Sequence, residues 1–151
     1  MALKNTTRSL GVALGLAAVL SACTVPALQS GPMPVAARDL LGVQWVAVSV
    51  DGVAPLVEPK PQLRWSTEKL VVGTGGCNQF FGQAALTPDS LRIGPLAATG
   101  KACMTAPGGQ EDLFFRALEL TRSARMERGQ LELLDASGKV LSRLATVTRQ
   151  P

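Results

Sequence analysis

From Val43 to Val50 the chain reads V-Q-W-V-A-V-S-V, apolar and polar positions alternating with many β-branched residues, and Asp51-Gly52 follows as a turn. This pattern predicts a first strand. After a proline-rich loop containing Pro55, Pro59 and Pro61, Gln62 to Ser66 and Leu70 to Thr74 flank a polar T-E-K turn and read as a hairpin with Trp65 or Leu63 facing in. Gln79 to Leu86 makes another strand, Pro88-Asp89-Ser90 a turn, and Leu91 to Ile93 a short strand. At Gln110 the period changes: Q-E-D-L-F-F-R-A-L-E-L-T-R sets Leu113, Phe114, Ala117 and Leu118 on one stripe of a helix. Glu111 and Asp112 fall in its first turn, where the macrodipole favours negative charge, and Arg122 in its last. Ala124 to Arg128, Gln130 to Leu134 and Lys139 to Ala145 then read as three strands joined by Gly129 and by D-A-S-G at 135–138. About eight short strands and one helix imply an α+β fold, a small curled antiparallel sheet or incomplete β-barrel that buries its apolar face around the helix.

The N-terminus follows a different logic. Met1 to Arg8 carries Lys4 and Arg8 and no acid, and the apolar run Leu10 to Leu20 after it is shorter than the roughly 20 residues of a membrane-spanning helix. Charged leader, apolar run and small residues make residues 1–22 a signal peptide. Leu20-Ser21-Ala22-Cys23 resembles the lipobox of bacterial lipoproteins. That resemblance implies that the chain is cut before Cys23 and that Cys23 carries lipid. Thr24 in the next position, where Asp would retain an inner-membrane protein, implies transfer to the periplasmic face of the outer membrane. Residues 23–39 contain three prolines, few charges and no steady period, and read as a flexible lipid-anchored tether ahead of a domain at 40–148.

Taking 22 residues from 151 leaves 129, enough for one domain with a core. The leader holds two of the 15 basic residues and none of the 11 acids, so the remainder has 13 against 11, a formal +2. No dense basic stripe is present, which argues against nucleic acid as a partner. Arg116, Arg122, Arg125 and Arg128 read either as a solvated face or as a patch for anionic lipid or glycan. Histidine is absent, which removes Ser-His-Asp and Cys-His catalysis and the commonest ligand of catalytic zinc. Glu111 and Asp112 make a poor acid–base pair, since adjacent helix residues point in different directions. We therefore expect no catalytic residues, no metal site and no cofactor.

With Cys23 assigned to lipid, Cys77 and Cys103 remain as a pair in an oxidising compartment, where a disulfide is the default and a reactive thiol pair the other reading. They lie 103 − 77 = 26 positions apart, and closing such a loop stabilises by roughly 3 to 4 kcal/mol in the chain-entropy model. Cys77 sits in G-T-G-G-C-N-Q-F-F-G-Q, residues 73–83, which enters a strand and lacks the G-K-[ST] of a phosphate-binding loop. Gly76 and Asn78 both admit turn conformations, and a bridge to Cys103 would bring Asn78 and Thr99 together. Gly76, Asn78 and Thr99 thus define a corner that is either structural or open to a ligand.

Gly76-Cys77-Asn78, Phe81-Gly82, then L-x-I-G-P-L-A-x-T-x-x-A-C from Leu91 to Cys103, Glu111-x-x-Phe114 and L-x-L-x-D-x-x-G from Leu131 to Gly138 occur in that order. Together they resemble the META domain family, also called HslJ-like, over about residues 40–146. The resemblance implies an α+β fold and a group of small envelope and heat-shock-associated proteins. Ala84 stands where relatives commonly have an aromatic, and Gly100-Lys101 replaces a bulkier pair, altering any ligand surface the family shares there. The expected role is a non-catalytic binding or scaffolding lipoprotein in envelope stress tolerance, its partners the membrane and an envelope protein or small ligand. A lysozyme or hydrolase inhibitor, and a pilot or lipid-carrier lipoprotein, are the alternatives.

Overall fold

The computed structural model describes residues 33–54, 56–102 and 109–147. Its elements run β1 (Met33–Pro34), α1 (Ala37–Leu40), β2 (Gln44–Val50), β3 (Gln62–Thr67), β4 (Leu70–Thr74), β5 (Gln79–Leu86), β6 (Leu91–Ala98), α2 (Gln110–Leu120), β7 (Ser123–Glu127), β8 (Gln130–Leu134) and β9 (Val140–Thr146). All the strands join one antiparallel sheet in the order β1-β7-β8-β9-β2-β3-β4-β5-β6. The eight principal strands form a curled half-barrel. Register shifts at Ala47/Ser49, Trp65/Thr67, Gly82/Ala84 and Leu133/Leu134 break the ladders locally, and each such bulge adds twist that helps the sheet curl.

Alternation along the strands sorts their side chains. Trp45, Leu63, Trp65, Val71, Phe80 and Leu144 are buried, and Phe114, Ala117 and Leu118 of α2 pack into the same core. The helix touches β6, β9, β2 and β8, so it lies in the hollow of the curl. Its acidic first turn and apolar stripe stand where the periodicity put them. Two indole nitrogens, Trp45 Nε1 and Trp65 Nε1, are buried with no hydrogen-bond partner among the described residues.

Three boundaries differ from the reading of the sequence. β6 continues past Ile93 through Gly94-Pro95 to Ala98, because Gly94 takes φ +111° and lets the strand bend where Gly-Pro signals a stop. The helix ends at Leu120, and Arg122 sits beyond it with its Nη1 donating to the carbonyls of Glu119 and Thr121 at 2.8 and 2.7 Å. The segment expected as tether up to residue 39 is also part of the fold from Met33 onward. Met33–Pro34 pairs with β7, and Val35 and Leu40 are buried. Elements of two and four residues are too short to display a period. Cys23 and the expected signal peptide lie outside the described residues, among which no helix is long and apolar enough to cross a membrane.

Candidate functional site

β4 and β5 are joined by Gly75, Gly76, Cys77 and Asn78, a turn closed by the Gly75 N–H donating to the Asn78 carbonyl at 2.9 Å. Its glycines make room for neighbours. A Cβ on Gly75 would collide with the Glu111 side chain and lie 2.9 Å from the Phe115 ring, while Gly76, at φ +118°, faces the Pro59 carbonyl. Thr74 Oγ1 accepts the Gly76 N–H at 3.1 Å and fixes the entry to the turn.

Into the space left by Gly75 reaches Glu111, from the first turn of α2, with 8 % of its surface exposed. Its Oε2 accepts the backbone N–H groups of Cys77 and Asn78 at 2.9 and 2.6 Å, and its Oε1 accepts the Asn78 side-chain amide at 2.7 Å. The other end of Asn78 is equally engaged: Oδ1 accepts the Thr99 hydroxyl and the Lys101 N–H, both at 2.8 Å. Thr99 Oγ1 in turn accepts the Gln79 N–H at 3.2 Å. The structure therefore brings Asn78 and Thr99 together as expected from the sequence. Gly76 packs instead against Pro59, and Cys103 lies outside the described residues.

Glu111 and its neighbour Gln110 are the residues that sequence reasoning missed. The carboxylate, read as a complement to its own helix's dipole, spends its oxygens on a turn 33 and 34 residues earlier. The helix N-cap is Gly109, which offers no side-chain cap. Gln110 clamps a second loop, accepting the Val57 N–H at 3.0 Å and donating to the Val57 and Pro59 carbonyls at 2.8 and 3.1 Å. The edge-on packing of Phe80 against Phe114 and Phe115, at centroid distances of 6.1 and 5.3 Å, holds the helix against β5. The sequence carries no local signal of these contacts, since a Q-E pair opening a helix after a glycine reads as an ordinary first turn.

Three of the four arginines read as a face or patch, Arg122, Arg125 and Arg128, are engaged with partners of their own. Arg125 and Arg143 flank Glu132 in direct register across β7, β8 and β9, each donating to its buried carboxylate at 2.7 to 2.8 Å. Arg128 pairs with Glu127, and Arg122 is committed to the helix end. Among the described residues no three or more His, Cys, Asp or Glu side chains converge as a metal site. An open groove of about 560 Å³ borders the corner at Thr99 and extends over the sheet face turned away from the core, past Arg64, Val72 and Phe81.

Residues 38–148 match the family model described as META domain. The NMR structure of a protein from Burkholderia xenovorans is similar, with 26% identity and a TM-score of 0.57 over 75% of this chain and 87% of that one. A second NMR structure, 24% identical with a TM-score of 0.57, covers 72% of this chain and 93% of its own and shares the fold. No curated protein matches the chain.

Proposed function

The chain belongs to the META domain family, and from that premise we propose that it is a non-catalytic lipoprotein, anchored through Cys23 at the periplasmic face of the outer membrane, with a binding or scaffolding role in envelope stress tolerance. The observation that carries the non-catalytic part is the Asn78–Glu111 contact. At the point where the sequence motifs converge, the buried Glu111 carboxylate and the Asn78 amide satisfy each other and the turn, leaving a rigid corner rather than a group poised for reaction. The L-S-A-C box and the proline-bearing segment after it support the anchored placement. A Cys77–Cys103 disulfide belongs to the same proposal, as a staple between the corner and the segment after β6.

Fractionation and intact mass of the wild-type and Cys23→Ala chains test the anchor. The wild type is expected in the membrane fraction, beginning at Cys23 and carrying acyl mass; the variant is expected to lose both. A wild-type chain without acyl mass overturns the anchor. Recovery of a deletion strain from envelope stress tests the role, with the anchored chain expected to restore tolerance and the Cys23→Ala chain to fall short.

A further inference from the structure

The outward groove is organised by strand register. Gln44, Arg64, Val72, Phe81 and Ala97 stand directly opposite one another from β2 to β6, one row across five strands. With strands about 4.8 Å apart the row is roughly 19 Å long. Gln62, Thr74 and Gln79 form a second row beside it. These positions alternate with buried Leu63, Val71 and Phe80, so they face away from the core. The volume, about 560 Å³, falls within the range of small-ligand sites.

Two side chains in the groove are out of place on an ordinary solvated face. Phe81 is 59 % exposed, whereas Phe80 beside it and Phe114 are buried. Arg64 is half-buried and its side chain, among the described residues, makes no hydrogen bond or ion pair, unlike those of Arg125 and Arg143 on the far part of the sheet. Among the described residues no acid lines the groove. An unneutralised guanidinium there attracts an anion, and its planar fork matches a carboxylate.

The remaining chemistry narrows the class. β3, β4 and β5 have strand neighbours on both sides, so around Arg64, Val72 and Phe81 recognition falls to side chains, and the sheet's edge strand β6 borders the groove only at Ala97 and Ala98. Gln44 Nε2 donates to Gln62 Oε1 at 3.2 Å, which leaves the Gln44 side-chain oxygen as an acceptor and the Gln62 amide N–H groups as donors. Amides that both donate and accept suit hydroxyl groups, and the Phe81 ring, two strands along the row from Arg64, offers a flat apolar face. We propose that this groove binds a short acidic oligosaccharide, a sugar carboxylate on Arg64 and a sugar ring against Phe81. The site is separate from the lipid anchor, borders the Asn78 corner through Thr99, and stands or falls independently of the stress-tolerance reading.

The test is calorimetric titration of the purified full chain in detergent with trigalacturonate, its fully methyl-esterified form and triglutamate. Saturable binding of trigalacturonate is expected, at least tenfold tighter than either comparator. Arg64→Gln is expected to weaken the acid at least tenfold and abolish the preference over the ester, while Phe81→Ala weakens both sugars alike. Unchanged melting temperatures confirm that both outward-facing variants fold. Backbone NMR shifts of the wild type, which need no variant, should change along β3, β4 and β5. No saturable binding, equal binding of the ester, triglutamate binding as tightly as the sugar, or shifts confined to other strands overturns the proposal.

Discussion

Glu111 Oε2 lies 2.6 Å from the backbone nitrogen of Asn78, and Glu111 Oε1 lies 2.7 Å from the same residue's side-chain amide, so one carboxylate grips both the main chain and the side chain of a turn in another part of the sequence. The helix start and the β4–β5 corner thereby become one unit. Their coupling gives the fold a contact whose loss is felt at both ends.

Asn78→Ala is expected to destabilise by about 1 to 3 kcal/mol, since it takes the amide donor from one oxygen of a buried carboxylate, while the exposed Thr99 hydroxyl and Lys101 N–H can turn to water. Glu111→Ala is expected to cost roughly 3 kcal/mol, as three N–H donors lose their acceptor. The double variant should fall short of the sum by about 1 kcal/mol or more, because each single change already breaks the shared bond. Urea denaturation midpoints check the cycle, and additive losses would show that the two residues act separately. Sugar binding in the outward groove should persist in Asn78→Ala below its melting temperature.

Cys77 and Cys103 are expected to resist alkylation in the exported, unreduced protein and to react after reduction under denaturing conditions. Cys77→Ser and Cys103→Ser should each lower stability by roughly 3 to 4 kcal/mol, the chain-entropy value for their spacing, and the double variant should lose no more than either alone. Two reactive thiols in the exported protein, or additive losses, count against the bridge.

Much of the fold is legible in the sequence because it rests on period. V-Q-W-V-A-V-S-V and the stripe Leu113, Phe114, Ala117, Leu118 each identify their element without help from the rest of the chain. The two phenylalanines of the glycine stretch show the same rule at the shortest range: Phe80 is buried and Phe81 exposed. What escapes is whatever depends on register or on a single long-range bond. Nothing local distinguishes Glu111 from an ordinary first-turn acid; only the turn folded beneath α2 gives its carboxylate three donors. Likewise Gln44, Arg64 and Phe81 read as unrelated outward positions of separate strands, and become one row only when the pairing of β2 through β5 is fixed. The extension of β6 was hidden for a third reason, a Gly-Pro pair that more often ends a strand than bends it.

Glu132 is the second buried carboxylate with a defined partnership, its side chain 4 % exposed between those of Arg125 and Arg143 at 37 and 45 %. Glu132→Ala is expected to cost about 1 to 3 kcal/mol, below the roughly 3 to 5 kcal/mol of a fully buried pair, because both arginines can rehydrate. Removing either arginine alone should cost less, since the other still neutralises the carboxylate. Thermal unfolding of the three single variants checks this order. An arginine variant less stable than Glu132→Ala would mean that the arginine stems, packed on the sheet, matter more than the charges.

At the β8–β9 turn, Asp135 Oδ1 accepts the Ser137 hydroxyl at 2.7 Å, the Ser137 N–H at 2.8 Å and the Lys139 N–H at 3.0 Å. These bonds favour the ionised carboxylate and hold its pKa below the ordinary value, the Ser137 hydroxyl being the largest cause. A carboxyl whose folded pKa lies below its unfolded one binds more protons unfolded than folded, so the stability it contributes is present above the unfolded value, about pH 4, and is lost as the pH falls through the folded one. Asp135→Asn removes that titration. The variant should therefore be less stable than wild type at neutral pH, and the gap should narrow on acidification below about pH 4. Ser137→Ala, which leaves the carboxylate but removes the strongest of its donors, should give a gap and an acid slope between the two. Melting temperatures of the three proteins measured from neutral pH down to about pH 2 decide it, and a gap that stays constant across that range would show that the turn is held by its shape rather than by the charge on Asp135.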